Sequence, residues 1–223
     1  MTSKQLRVAA AVVALAYIAV QAFQAYVFRA VGEPATPAEG LVLGAHPLHI
    51  VRSTAMLAAM FALVFLYGAI CLLRAKDRPV LAGFTFLSFL LFGFLEIGLR
   101  SVELFWTQLE LAPAYIHNPD PVVLGHAAVF ESVQHALYVP LGLSVLIGSV
   151  LGAWLFSTDR KIDRVIQLVF VLNALRSATR MLTVYVGWQL FPDAAYGAAY
   201  FPMVIAFYAP VAYWLLRRDT VNC

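Results

Sequence analysis

Six long apolar segments constrain the fold of this chain more than any other feature. They lie at about 8–28, 50–73, 80–106, 125–156, 165–191 and 198–216, and each has the roughly 20 residues that a helix needs to cross about 30 Å of hydrocarbon. The runs are continuous and lack the alternation of a membrane barrel strand. The sequence therefore predicts an all-α polytopic membrane protein, with six transmembrane helices bundled in one domain over residues 1–223.

Composition favours the same class. Of the 223 residues, 62% are hydrophobic and 12% are charged, whereas a soluble domain has about 45–50% apolar and about 25% charged residues. Cys71 and Cys223 do not indicate a disulfide framework. The first apolar segment is longer than the core of a typical signal peptide, so we expect it to remain as a span.

Basic residues predict the orientation of the spans. One set of connections carries ten of them: Lys4, Arg7, Arg74, Lys76, Arg78, Arg160, Lys161, Arg164, Arg217 and Arg218. The opposite connections carry Arg29 alone. This asymmetry predicts cytoplasmic termini and a multi-pass protein of the cell membrane, which is the inner membrane if the cell is Gram-negative. It also accounts for the net charge of +3 without a nucleic-acid partner.

Polar side chains recur at helical spacing on one face of five predicted spans. They are Gln21, Gln24, Arg52, Glu96, Arg100, Glu103, Glu131, Gln134, His135, Tyr138, Asn173, Arg176, Arg180 and Thr183. The charged members lie at the predicted bilayer centre or on its outer side. Charge at that depth costs roughly 2.5–3.5 kcal/mol per residue and almost always faces protein interior or water. The pattern therefore predicts a charged cavity that opens to the outer face.

Arginines on three spans are predicted to bind the substrate. They are Arg52, Arg100, Arg176 and Arg180. A guanidinium pairs with a carboxylate or phosphate through two parallel hydrogen bonds, so this pattern is typical of a site for an anionic head group. The predicted polar contacts around it are Gln21, Gln24, Tyr138 and Asn173. Because the site lies within the bilayer, we expect a hydrophobic or amphiphilic small molecule, similar to a lipid or an isoprenoid.

Carboxylates and a histidine on the same stripes predict acid–base chemistry on this substrate. The predicted catalytic residues are Glu96, Glu103, Glu131 and His135. Glu131 is expected to exchange the proton, because it lies one helical turn from His135 and its own span contains no arginine. Glu96 and Glu103 flank Arg100, whose positive charge is expected to keep both carboxyl groups ionised.

Two other functions would use the same residues. A proton-coupled transporter or a membrane solute-binding subunit would hold an anion and a proton there. However, no inverted repeat is visible, and the fifth span has no helix-breaking residue before Gly187. A structural or assembly subunit would pair Glu96 with Arg176 or Arg180, although buried ion pairs add little net stability. We therefore expect an enzyme, with the transporter and the scaffold as alternatives.

The sequence predicts neither a cofactor nor a bound metal. Retinal needs a lysine within a span, and all three lysines lie outside the predicted spans. Haem held by two histidines needs a second deep histidine beside His135. Glu131 and His135 could ligate one cation from a single helix, but the nearby arginines would repel it.

Overall fold

The computed structural model describes residues 2–32, 34–158, 160–188 and 192–217, and within these ranges it is all-helical, with no strand. It contains seven helices: α1 (Ser3–Val31), α2 (Pro37–Gly44), α3 (Pro47–Arg74), α4 (Pro79–His117), α5 (Pro121–Leu155), α6 (Lys161–Val186) and α7 (Asp193–Leu216). All except α2 are long and apolar enough to cross a membrane. The prediction of an all-α chain with six such helices is confirmed for these residues.

Prolines and capping side chains define where the helices begin. Four helices have a proline in the first turn, where the missing N–H has no partner to lose; these are Pro37, Pro47, Pro79 and Pro121. Thr2 caps α1, and Asp120 caps α5 by accepting a hydrogen bond from the backbone N–H of Val122.

The six long helices form a closed ring. Each packs against its neighbours in chain order, and α7 packs back against α1. Arg52, early in α3, contacts Glu103, late in α4, and Arg78, just before α4, contacts the carbonyl group of Trp154 at the end of α5. Successive long helices therefore run antiparallel. The N-terminus of α1, the connections 75–78 and 156–160, and the C-terminus of α7 therefore share one end of the ring, which we call the basic end. We call the opposite end the distal end.

An aromatic core fills the basic half of the ring. Tyr67 stacks on Phe89 with ring centroids 3.9 Å apart, and Phe170 lies 6.1 Å from Phe89. Two glycines of α5 make this packing possible. A Cβ at Gly148 would lie 3.1 Å from the Phe89 ring, and one at Gly152 would lie 2.8 Å from the Phe170 ring. Both rings therefore press directly on the α5 backbone.

Helical structure extends well beyond the predicted third span. α4 runs for 39 residues, about 58 Å at 1.5 Å per residue, whereas the hydrocarbon core is about 30 Å thick. The predicted connection 107–125 is helical except for residues 118–120. A π-helical stretch, Val102–Leu111, precedes Pro113 and places it in the first turn of the renewed α-helix, where a proline is tolerated. The other long connection, 29–49, contains α2.

The short helix α2 lies at the distal end. It packs against α3, against the distal part of α4 and against the start of α5. Its side chain Leu41 is buried with Leu111, Ala112 and Ala127 in a small apolar cluster that is separate from the main core. Gly32, which precedes α2, has φ +88°, a backbone conformation open mainly to glycine.

Candidate functional site

Four of the predicted charged residues form one continuous network between α3 and α4. Arg52 donates to Glu103 at 2.5 Å, and Arg100 donates to the other oxygen of Glu103 at 2.6 Å. Arg100 also donates through Nε to Glu96 at 3.2 Å. The four side chains are 8% to 20% exposed. We call this set the charge network; its two positive and two negative charges cancel.

Local geometry explains the network. Glu96, Arg100 and Glu103 follow one face of α4 at the spacing that lets helix neighbours pair. Arg52 reaches this face from α3, and its guanidinium also lies 4.8 Å from the centroid of the Phe28 ring. A cation over an aromatic face is stabilised by the ring's negative face. Three helices therefore orient Arg52 toward the interior.

Arg176 on α6 is held differently. Its Nε donates to the Asn173 side chain at 3.3 Å, and the Asn173 amide donates to Ser149 of α5 at 2.8 Å. Among the described residues, Arg176 has no carboxylate at ion-pair distance. The predicted pairing of Arg176 with Glu96 is not seen, since Glu96 pairs with Arg100 on its own helix. Arg176 therefore brings an uncompensated positive charge to a half-buried position.

Tyrosines from α1 and α7 complete this region. Tyr17 on α1 and Tyr200 on α7 both interact electrostatically with Arg176 and with Glu96. Gln21, one turn from Tyr17, donates to the sulfur of Met56 at 3.4 Å, while its buried Oε1 has no hydrogen-bond partner among the described residues. Tyr17 and Gln21 share a helical face, so the sequence carried a signal for Tyr17. It carried none for Tyr200, whose role depends on how α7 packs.

The predicted Glu131–His135 pair is not brought into this region. Both side chains are exposed, and so is Tyr138. The reason is that another face of α5, with Phe130 and Leu141, packs with Leu99 of α4. Helical spacing indicated that the polar residues share a face, but not which way that face points.

The remaining predicted residues differ in how exposed their side chains are. Tyr138 interacts electrostatically with Arg100 despite its exposure. Gln24 and Gln134 are half-buried, and Arg180 is exposed. The Thr183 hydroxyl donates to the backbone carbonyl of Thr179 at 3.0 Å, a local bond within α6.

A second polar site, at the basic end, was missed by the sequence analysis. Asp163 is 1% exposed and forms an ion pair with Arg74. It also accepts hydrogen bonds from Thr158 at 2.7 Å and from the Trp214 ring at 3.2 Å. The Arg74 guanidinium lies 4.4 Å from the centroid of the Phe156 ring. The sequence pattern places Arg74 in a connection and gives Asp163 no role, yet the two residues join α3, α6 and α7 and close the ring at this end.

Within the described ranges, no three histidine, cysteine, aspartate or glutamate side chains are grouped as metal ligands. An apolar groove of about 450 Å³ runs between α5 and α6 and is lined by Val139, Leu146, Ala178, Met181, Leu182 and Tyr185. It lies beside α6, the helix that carries Arg176.

Comparison with protein-family models, with curated proteins and with solved structures finds no significant match to this chain.

Proposed function

We propose that this protein is a membrane-embedded enzyme that binds an amphiphilic molecule by its anionic head group and carries out acid–base chemistry on it. The observation that carries the proposal is Arg176, a cation that faces the ring interior without a carboxylate partner among the described residues. A charge at such a position is costly, so it is seldom retained without a partner or a task.

Charge balance indicates the head group. The charge network is neutral by itself, so Arg176 leaves this region with one uncompensated positive charge. A carboxylate or a phosphodiester carries one negative charge and matches the guanidinium by bidentate hydrogen bonds.

Glu96 is the carboxylate best placed for proton transfer. One of its oxygens accepts from Arg100, and it interacts electrostatically with Tyr17 and Tyr200. In the proposed reaction Glu96 acts as the general base, and the two phenols donate hydrogen bonds to the oxygen on which charge develops. Glu131 and His135 are exposed, and Glu131 has no arginine partner among the described residues. This favours Glu96 over Glu131 as the residue that transfers the proton.

The proposed orientation follows from loop charge. The basic end faces the cytoplasm and the distal end faces outward, so the charged region draws its substrate from the outer leaflet of the cell membrane. In a Gram-negative cell this is the inner membrane.

A transporter for a small anion is the second candidate, and one observation favours it. The Arg74–Asp163 ion pair closes the basic end, whereas the charges lie in the distal half. A site accessible from one side and closed on the other is what alternating access requires.

The test uses the full chain in detergent, with binding measured by native mass spectrometry. Two matched pairs serve as probes: oleate with oleyl alcohol, and farnesyl phosphate with farnesol. We expect at least one anionic probe to bind ten times more tightly than its alcohol, and Arg176→Gln to remove this preference. Arg164→Gln, the same charge change at the basic end of α6, is the control. Equal affinity for anion and alcohol in both pairs would exclude the proposal.

Unbiased lipid and metabolite profiling of the purified protein then identifies the natural ligand. Chemical conversion of that ligand by the protein supports the enzyme. Uptake of the chemically unaltered ligand into vesicles that contain the protein supports the transporter.

A further inference from the structure

Four buried polar atoms at the distal end have no hydrogen-bond partner in the part of the chain that the structure describes. They are His49 Nε2, Arg52 Nε, Thr107 Oγ1 and Gln108 Oε1, and we call them the distal polar cluster. His49, Arg52 and Gln108 are each less than one-tenth exposed. None of the four atoms takes part in a helix cap or an ion pair with another described residue; the ion pair of Arg52 uses a different nitrogen atom.

These residues lie on the facing parts of α3 and α4, next to the Arg52–Glu103 ion pair. His49 and Arg52 are one turn apart on α3. Thr107 and Gln108 follow Glu103 by about one turn of the π-helical stretch of α4. The Arg52–Glu103 ion pair joins the two faces. The cluster therefore lies on the distal side of the charge network, between it and the end of the ring.

Leaving these atoms unpaired has a clear energetic consequence. Each buried polar group without a partner costs about 1–3 kcal/mol, so a native structure that retains several calls for an explanation. The cluster offers donors at Arg52 and Thr107 and an acceptor at Gln108. A head group with anionic or ester oxygens and a hydroxyl would satisfy both kinds of atom.

The helix α2 packs over Gln108, one residue of the distal polar cluster. At Gly44, the position of a Cβ would lie 3.7 Å from the Cγ atom of Gln108, so the α2 backbone rests on this side chain. The apolar contacts of α2 are few and centre on Leu41.

The N-terminal end of α2 is held by hydrogen bonds within its own segment. Thr36 caps it by accepting from the backbone N–H of Glu39 at 3.2 Å, and the Glu39 carboxylate accepts from the N–H of Ala35 at 2.7 Å. Gly32, with its positive φ, precedes this unit, and the next helix starts at Pro47. The helix can therefore move as a unit without losing its own hydrogen bonds.

We propose that α2 is a lid over an access site, in which the distal polar cluster first binds the head group of the amphiphile before it reaches Arg176. This inference rests on the proposed function. Displacement of α2 would exchange the Leu41 contacts for hydrogen bonds between the head group and the four unpaired atoms.

A disulfide across the lid tests the inference. The Gly44→Cys/Gln108→Cys pair, made in a Cys71→Ala/Cys223→Ser background, is chosen because a Cβ built at Gly44 lies 3.7 Å from the Cγ of Gln108, the position that a sulfur atom at residue 108 would take. We expect oxidation to slow association of the tighter-binding anionic probe by more than tenfold, and reduction to restore it. The two single-cysteine variants, treated with the same oxidant, are controls. Unchanged association in the cross-linked protein would overturn the lid.

A second measurement needs no ligand and so separates failure of the lid from failure of the proposed function. In the same background, Gln108→Cys alone is labelled with a membrane-impermeant maleimide. Leu41→Ser, which weakens the packing of α2, should raise the labelling rate several-fold. A matched change on the far face of α2, Val42→Ser, should not. Equal labelling rates in all three proteins would overturn the lid even if no probe binds.

Discussion

Arg52 and Glu103 are joined at 2.5 Å although they lie on different helices. This contact links the distal part of α3 to the first residues of the π-helical stretch of α4. Glu103 holds Arg100 with its second oxygen, so one carboxylate connects both arginines. Several properties of the protein depend on this arrangement.

The first prediction concerns the stability of the charge network. Arg52→Gln removes one of the two cations on Glu103 and should destabilise the protein by about 3–5 kcal/mol, as breaking a buried pair does. The Arg52→Gln/Glu103→Gln double variant should recover part of this loss, because the remaining charges of Arg100 and Glu96 balance each other. Thermal unfolding in detergent provides the measurement. Glu110→Gln, at an exposed position of the same helix, should change little, and a fully additive double variant would show that the two residues are not coupled.

A second prediction contrasts Arg176 with Arg52. Because Arg176 has no carboxylate partner among the described residues, Arg176→Gln removes a costly charge without stranding another one. Its melting temperature should therefore equal or exceed that of the wild type, while binding of the anionic probe is lost. Extensive unfolding of Arg176→Gln would instead assign the residue a structural role.

The third prediction separates two glutamates. Glu96→Gln should lower turnover of the identified substrate by about 10²-fold or more, as expected for loss of a general base. Glu131→Gln changes an exposed side chain and should leave turnover within about threefold of the wild type on the same reasoning. Both variants are assayed as folded protein at equal concentration. The reverse order of effects would return Glu131 to the mechanism.

At the basic end, Arg74 provides an internal comparison between two aspartates. Asp163 is buried, whereas Asp77 is 72% exposed and lies 3.9 Å from the same arginine. Asp163→Asn should destabilise the protein by about 3–5 kcal/mol. Asp77→Asn should cost at most about 1 kcal/mol, as for an exposed ion pair. Chemical or thermal unfolding measures the loss of stability in the two variants. Equal losses would contradict the assignment of Asp163 as the buried partner of Arg74.

Topology is tested separately. Reporter fusions after Lys76 and Lys161 should read cytoplasmic, and fusions near Pro37 and Asp120 should read external, because the basic residues gather at one end of the ring. A cytoplasmic signal at Asp120 would invalidate the orientation used for the proposed function.

Sequence periodicity predicted the long helices and placed Glu96, Arg100 and Glu103 on one face, because both depend on spacing within one helix. It did not predict which face of α5 turns inward, since the apolar contacts of Phe130 with α4 decide that. The Arg74–Asp163 pair was missed for a related reason. Both residues lie at helix ends, where charge is expected in any membrane protein, and only the closure of the ring brings them together.

That closure also constrains how the protein is made. The interface between α1 and α7 joins the first and the last long helix of the ring. Five long helices are therefore complete before the ring can close. Until α7 is in place, Arg176 and Tyr17 lack the neighbour that carries Tyr200, and the polar interior has an open side. A nascent chain paused before α7 would therefore expose these groups to lipid, and it should be a preferred target for membrane quality control.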